Sequence, residues 1–308
     1  MHKHHTIPVF ILAGGLGTRL SEETVLKPKP MVEVGEIPML LHIMKSYYAH
    51  GFDDFVICAG YRAWLIKEFF LNYNFHCNHI EIDHREDPKR EPEIIGKNSS
   101  QEKWRVRVID TGLEAMTGAR IARAHDVVWA KEPFEAFAVT YGDGVSDVDL
   151  EAELNFHREH KKIGTVLGVR PVARFGELET SAEGTVQGFL EKPKSKQGRI
   201  NGGFFFFKND FRKYLNTDDS CILERAPLEN LAKDGQLSMY QHDGFWHPMD
   251  TTLKSTQSVL DRITAANAAY ATYLLDVTPD TLGRVPQYEV QAMSDIGAQA
   301  IAQGILQH

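Results

Sequence analysis

Cysteine is scarce in this chain, and several familiar patterns are missing altogether. The 3 cysteines among 308 residues, Cys58, Cys77 and Cys221, form no C-x-x-C pair and no even-numbered framework. A disulfide scaffold and a cysteine-based zinc site are therefore not expected, and a reduced compartment is. No apolar run approaches the roughly 18 residues that span a bilayer. The first residues, Met1 to Pro8, lack the apolar core of a leader, so a cytoplasmic protein with no membrane partner is the expectation. Basic residues are outnumbered, 34 Lys and Arg against 42 Asp and Glu, for a net charge of −8. That balance argues against an extended nucleic-acid surface, yet a small phosphorylated ligand needs only a few local cations.

Absent motifs narrow the chemistry further. No P-loop string G-x-x-x-x-G-K-[ST] occurs, and the dinucleotide fingerprint fails because Gly15-x-Gly17 is followed by Thr18, Arg19 and Leu20. There is no H-E-x-x-H helix for zinc and no G-x-S-x-G elbow for a serine hydrolase. His2, His4 and His5 read as a polar terminus rather than a metal site. His247, beside Trp246, reads as a packing or supporting residue rather than a catalytic one.

What is present points to an ordinary globular enzyme. Hydrophobic residues make up 43% of the chain and charged residues 25%, enough for a large core. Continuous apolar runs at Val9–Ala13, Asp54–Ala59, Val106–Ile109, Phe137–Tyr141 and Gly164–Val169 read as strands buried on both faces. Helix-period stretches at Met39–His50 and Ala63–Tyr73 lie between them. The alternation predicts an α/β fold with a mixed, mostly parallel central sheet flanked by helices, and a ligand crevice at the carboxyl ends of the strands. From Gly164 onward, strand-like pieces at Val169–Val172, Val186–Glu191, Gly202–Phe207 and Leu237–Trp246 suggest additional antiparallel structure. Asp83–Lys103 is polar and reads as a mobile loop. Beyond Thr251 the chain is Ala-rich, which divides it into a main domain over 1–252 and a C-terminal helical segment and tail over 253–308.

Three constellations carry the chemistry. The first is Leu12-Ala-Gly-Gly-Leu-Gly-Thr-Arg, followed by Lys27-Pro-Lys-Pro-Met. Gly14, Gly15 and Gly17 let backbone N–H groups approach a polyphosphate, Thr18 adds a hydroxyl, and Arg19 and Lys29 add charge. The second is Tyr141-Gly142-Asp143-Gly144 at a strand end. By itself Gly-Asp-Gly is a common turn, but together with Asp250 in Gly244–Thr251 it offers two carboxylates for one Mg²⁺. The third joins Gly176, Glu191, Lys192 and Asn201, able to hydrogen-bond sugar hydroxyls and neutralise a phosphate monoester.

In this order, the strings LAGGLGTRLSEET, KPKPM, MTG, TYGDG, RFG, EKP, INGGFF and GFWHPMDT resemble the sugar nucleotidyltransferases, and within them the cytidylyl branch, from about Val9 to Thr252. The resemblance implies a Rossmann-like nucleotidyltransferase fold that binds CTP and glucose 1-phosphate with Mg²⁺ and makes a CDP-sugar as a homo-oligomer. Carried over by motif, Leu12, Ala13, Gly14, Gly15, Gly17, Thr18, Arg19, Lys29, Thr117, Gly118, Arg120 and Gly142 would hold the nucleotide. Gly176, Glu191, Lys192 and Asn201 would hold the sugar phosphate, and Asp143 and Asp250 the metal. Arg19, Lys29, Asp143 and Lys192 would carry catalysis. Ala115 and Ala119 depart from the pattern, standing where a hydroxyl residue and a glycine are usual. Rival readings are another triphosphate or sugar 1-phosphate, a non-catalytic sensor, and a nicotinamide-dependent oxidoreductase, the last disfavoured by the failed fingerprint.

Overall fold

The computed structural model describes residues 4, 6–15, 27–34, 37–83, 85, 91–97, 102–170, 177–180, 186–190 and 198–248. In chain order the first half holds β1 (Val9–Ala13), the short pair β2 (Glu33–Val34) and β3 (Ile37–Pro38), α1 (Met39–Ala49), β4 (Asp54–Ala59), α2 (Ala63–Leu71), α3 (Tyr73–Cys77), β5 (Asn78–Glu81), β6 (Glu93–Lys97) and β7 (Arg105–Asp110). There follow α4 (Thr117–Lys131), β8 (Ala136–Tyr141), β9 (Gly144–Ser146), α5 (Leu150–His160), β10 (Gly164–Val169), β11 (Glu177–Thr180), β12 (Val186–Leu190), β13 (Ile200–Lys208), α6 (Ala226–Lys233), β14 (Leu237–His242) and β15 (Trp246–Pro248).

A seven-stranded sheet in the order β14-β10-β13-β8-β1-β4-β7 forms the centre. β1 pairs in parallel with β4 and β8, and β4 with β7, whereas β13 runs antiparallel to both β8 and β10. The apolar runs explain this placement, because alternate residues face opposite layers. Val9, Ile11 and Ala13 enter one core with α1, while Phe10 and Leu12 enter the other with α4. Along β13, Phe204 and Phe206 face the first core, Phe205 and Phe207 the second. Each such side chain, fully withdrawn from water, contributes roughly 1.5–3 kcal/mol. The result is a three-layer α/β/α arrangement.

Several sequence expectations need correction. Leu237–Trp246 is not one strand: Asp243-Gly244 turns the chain, separating β14 from β15, and β14 runs parallel to β10. Of the strand expected over Val169–Val172, Val169 is the end of β10 and Arg170 belongs to no strand, while residues 171–172 lie outside the described residues. Asp83–Lys103 is not wholly a loop, since β6 pairs antiparallel with β5. His4 is no loose terminus: its backbone N–H bonds Gly51, and its ring is buried 4.9 Å from that of Phe52. Among the described residues no helix is long and apolar enough to cross a membrane. The three cysteines are free thiols.

Candidate active site

β1 and β8 run side by side and end at the same edge of the sheet, where β1 gives way to Gly14-Gly15 and β8 to Gly142-Asp143. The strand order departs in opposite directions on the two sides of β1, which places the crevice of an open α/β sheet there. A cavity of about 350 Å³ fills it, lined by Leu12, Ala13, Gly14, Gly15, Lys29, Pro30, Ala115, Met116, Thr117, Arg120, Tyr141, Gly142 and Asp143. That volume suits a small organic ligand.

Close backbone packing builds the floor. The Gly142 N–H donates to Leu12 O at 3.0 Å, and a Cβ on Gly142 would stand 2.5 Å from that oxygen and 2.7 Å from the Pro30 ring. Only glycine lets the end of β8 lie this close. Pro30 is buried and belongs to a single 3₁₀ turn, Lys29–Met31, that follows Pro28. Two prolines thus fix the backbone on either side of Lys29. The Lys29 ammonium, with its side chain only 12% exposed, donates to Asp143 Oδ2 at 2.8 Å, while the Asp143 side chain remains 34% exposed toward the crevice.

The opposite wall comes from the N-terminus of α4. Here the polar groups are directed mainly at the fold itself. Arg120 is 4% exposed. Its Nη1 donates to Ala59 O, Thr111 Oγ1 and Gly112 O, and its Nη2 to Gly14 O and Leu113 O. The guanidinium therefore ties together the ends of β1, β4 and β7, and its burial pushes its pKa below the ordinary arginine value. Gly14 leaves it room, since a Cβ there would stand 2.1 Å from Nη1. The N–H groups of Gly118 and Ala119 both donate to Cys221 O. Thr117 Oγ1 donates to Glu224 and accepts from Leu223 N at 2.9 Å. Ala115 and Ala119 close a small apolar cluster with Cys221.

At the mouth, Tyr141 donates its phenol proton to Glu224 and accepts from Asn201 Nδ2 at 3.3 Å. Burial, reinforced by the neighbouring Glu224 carboxylate, pushes the Tyr141 phenol well up. Asn201 is the second residue of β13, whose reversed direction delivers its first residues to this edge. Behind Asp143, β9 pairs antiparallel with β15, with Gly144 opposite Pro248. A clasp secures that pair: Asp147 Oδ1 lies 2.7 Å from His242 Nε2 and accepts from Phe245 N at 2.7 Å, and Trp246 Nε1 donates to Gly202 O.

The cavity therefore brings together Leu12, Ala13, Gly14, Gly15, Lys29, Thr117, Arg120, Gly142 and Asp143. Gly118 lies behind its wall and Asn201 at its mouth. Gly17, Thr18, Arg19, Gly176, Glu191, Lys192 and Asp250 lie outside the described residues, as does 253–308. Tyr141, Glu224, Asp147 and His242 were not marked as site residues by sequence reasoning. Of these only Tyr141 had a signal, its place in Tyr-Gly-Asp-Gly.

Comparison with known proteins bears on the same region. Residues 8–248 match the family model Nucleotidyl transferase. The chain is similar to glucose-1-phosphate cytidylyltransferase of Salmonella typhi, 46% identical over 78% of this chain and 90% of that one. It is also similar to mannose-1-phosphate guanyltransferase of Gibberella zeae, 28% identical over 77% of this chain and 58% of that one. The crystal structure of HddC from Yersinia pseudotuberculosis complexed with GMP-PN shares the fold, with a TM-score of 0.53 at 21% identity, over 80% of this chain and 94% of that one.

Proposed function

The chain belongs to the nucleotidyl transferase family, and we propose that it transfers the cytidylyl group of CTP to α-D-glucose 1-phosphate, giving CDP-glucose and pyrophosphate. The observation that carries this reading is the crevice at the ends of β1 and β8, where a glycine turn, a fixed lysine and a half-exposed aspartate meet. The 46% identity to the Salmonella typhi cytidylyltransferase supports the choice of base and sugar.

A phosphate oxygen of glucose 1-phosphate attacks the α-phosphorus of CTP, a new P–O bond forms, and the bond to the pyrophosphate oxygen breaks in line with it. The nucleophile is already anionic near neutral pH, so no strong general base is needed. The barrier to be lowered is repulsion between two polyanions, which positioning and fixed positive charge reduce. Gly14, Gly15, Gly17, Thr18 and Arg19 hold the triphosphate, and Lys29 meets the reacting phosphates. Gly176, Glu191, Lys192 and Asn201 hold the sugar phosphate. Arg120 acts as a brace, keeping Gly14 in place from behind.

The donor set suits magnesium. Asp143 faces the crevice with Lys29 on Oδ2 alone, and β15 ends at Pro248, two residues before Asp250. Among the described residues no three His, Cys, Asp or Glu side chains converge, so a bound ion would rely on Asp143, Asp250, substrate oxygens and water, as Mg²⁺ does at phosphate sites. When bound, the ion supplies charge at the reacting phosphates. A homo-oligomer in the cytoplasm completes the reading. Trp64, 58% exposed, and Leu71, 79% exposed, offer α2 as an apolar contact surface.

The test is pyrophosphate release across a panel of triphosphates and sugar 1-phosphates. CTP with glucose 1-phosphate is expected to give the highest kcat/KM. Preference for another pair reassigns the substrates, and release from none of them defeats the reading in favour of a sensor.

A further inference from the structure

Glu224 belongs to no motif and lies in the connection before α6, yet it touches both walls of the crevice. Its Oε2 accepts from Thr117 Oγ1 at 2.8 Å and its Oε1 accepts from the Tyr141 hydroxyl. An exposed carboxylate only accepts hydrogen bonds, so it dictates which way each neighbouring hydroxyl points. The Tyr141 proton is directed at Glu224. The phenol oxygen then has only lone pairs left, and it takes a hydrogen from Asn201 Nδ2 at 3.3 Å. Asn201 is thereby held with its amide nitrogen toward Tyr141 and its Oδ1 toward Gly203 N, 2.8 Å away. Every link in the chain Glu224, Tyr141, Asn201, Gly203 runs in one direction. Gly203 is held in the left-handed region, φ +80°, which anchors the far end.

We infer that Glu224 is a positioning residue for the sugar-phosphate side of the site: through the Tyr141 hydroxyl it fixes the amide orientation of Asn201, so that Asn201 meets the incoming sugar phosphate as a hydrogen-bond donor. The inference rests on the proposed role of Asn201 and goes beyond it, assigning a function to an acid that itself touches neither phosphate. A carboxylate in direct contact with the acceptor's phosphate would repel it. Placed one hydroxyl away, it sets the polarity of the donor without adding negative charge at the binding point.

The isosteric change Glu224→Gln tests this, because glutamine can present an N–H₂ to Tyr141 and release the fixed direction. Full-length protein is assayed for pyrophosphate release with glucose 1-phosphate varied at saturating CTP and magnesium, then with CTP varied. Glu224→Gln and Tyr141→Phe are each expected to raise KM for glucose 1-phosphate by about tenfold, the scale of one hydrogen bond to a charged group. In both variants the rise in KM for glucose 1-phosphate should exceed any change in kcat or in KM for CTP. The double variant should be no worse than either single one, because both interrupt the same chain. Asn201→Ala should raise the same KM at least as much. If Asn201→Ala raises it while Glu224→Gln and Tyr141→Phe leave it at the wild-type value, the inference is overturned and the role of Asn201 stands. If Asn201→Ala also leaves it unchanged, the role of Asn201 falls and the inference falls with it.

Discussion

Lys29 Nζ lies 2.8 Å from Asp143 Oδ2, a pairing between residues 114 positions apart that joins the turn after β1 to the turn after β8. Both partners are proposed to face substrate phosphates, so the ion pair holds them in place before any phosphate arrives. Lys29→Ala and Asp143→Asn should each lower kcat by about 10²–10³, the usual effect of losing one charge-stabilising group. Pyrophosphate release checks this, alongside thermal unfolding to show that the variants remain folded. Near-wild-type turnover in either would remove that residue from the catalytic set.

Arg120 should matter for stability. Its terminal nitrogens reach five oxygen acceptors, four of them backbone carbonyls. Lysine carries a single ammonium that cannot span them. Arg120→Lys is expected to cost about 1–3 kcal/mol, the scale of leaving buried acceptors unsatisfied. Urea unfolding of the variant should show a lowered midpoint with an unchanged slope. A midpoint equal to wild type would refute the bracing role.

Glu153 gives a pH signature. It is completely buried on α5, burial alone pushes its carboxyl up from 4.5 to about 8, and neither oxygen has a partner among the described residues. The unfolded chain releases this proton near the ordinary value, while the folded chain keeps it to about pH 8. The unfolded state therefore binds fewer protons across that window, and stability falls as pH rises through it. Glu153→Gln should flatten the slope: little change near pH 4, and a gain on the order of a few kcal/mol at pH 8. Thermal unfolding at the two pH values measures it, and parallel profiles for variant and wild type would contradict the prediction.

The clasp between Asp147 and His242 supports the strand pair behind Asp143. Supporting contacts of a metal site typically change affinity by about 10–100-fold when removed. His242→Ala should weaken Mn²⁺ binding by about tenfold, read from the electron paramagnetic resonance signal of the free ion, and His242→Gln should recover part of it by donating to the same carboxylate. Equal affinity in all three proteins would leave the clasp a purely structural tie.

How far these features were legible in the sequence depends on what produces them. β1, β4 and β10 coincide with the sequence reading, because strands buried on both faces have to be continuously apolar. The hairpin of β5 and β6 escaped it, since exposed strands carry Ile80, Ile94 and Ile95 beside polar residues with no regular alternation. β13 was expected as antiparallel structure, but its place inside the central sheet, between β8 and β10, escaped, because a run of four phenylalanines does not say which strands it pairs with. Gly14, Lys29 and Asp143 were visible as motif residues whose types already suit phosphate or metal. Arg120 was visible too, but its guanidinium fits a carbonyl as well as a phosphate, and only the fold shows which it meets. Glu224 stands in an ordinary connection and His242 at the end of β14, and what distinguishes them is contact with parts of the chain more than 80 positions away.

The reversed strand β13 has a consequence for how such a protein can diversify. The residues proposed to face the nucleotide come from β1, β8 and the start of α4, whereas Asn201 arrives from the opposite direction on a strand inserted between β8 and β10. On the proposed assignment, donor and acceptor recognition are written in separate stretches of the gene that meet at a single seam. Exchanging the span from β10 to β13 for that of a relative is then expected to bring a new acceptor sugar while the proposed triphosphate cradle is inherited intact.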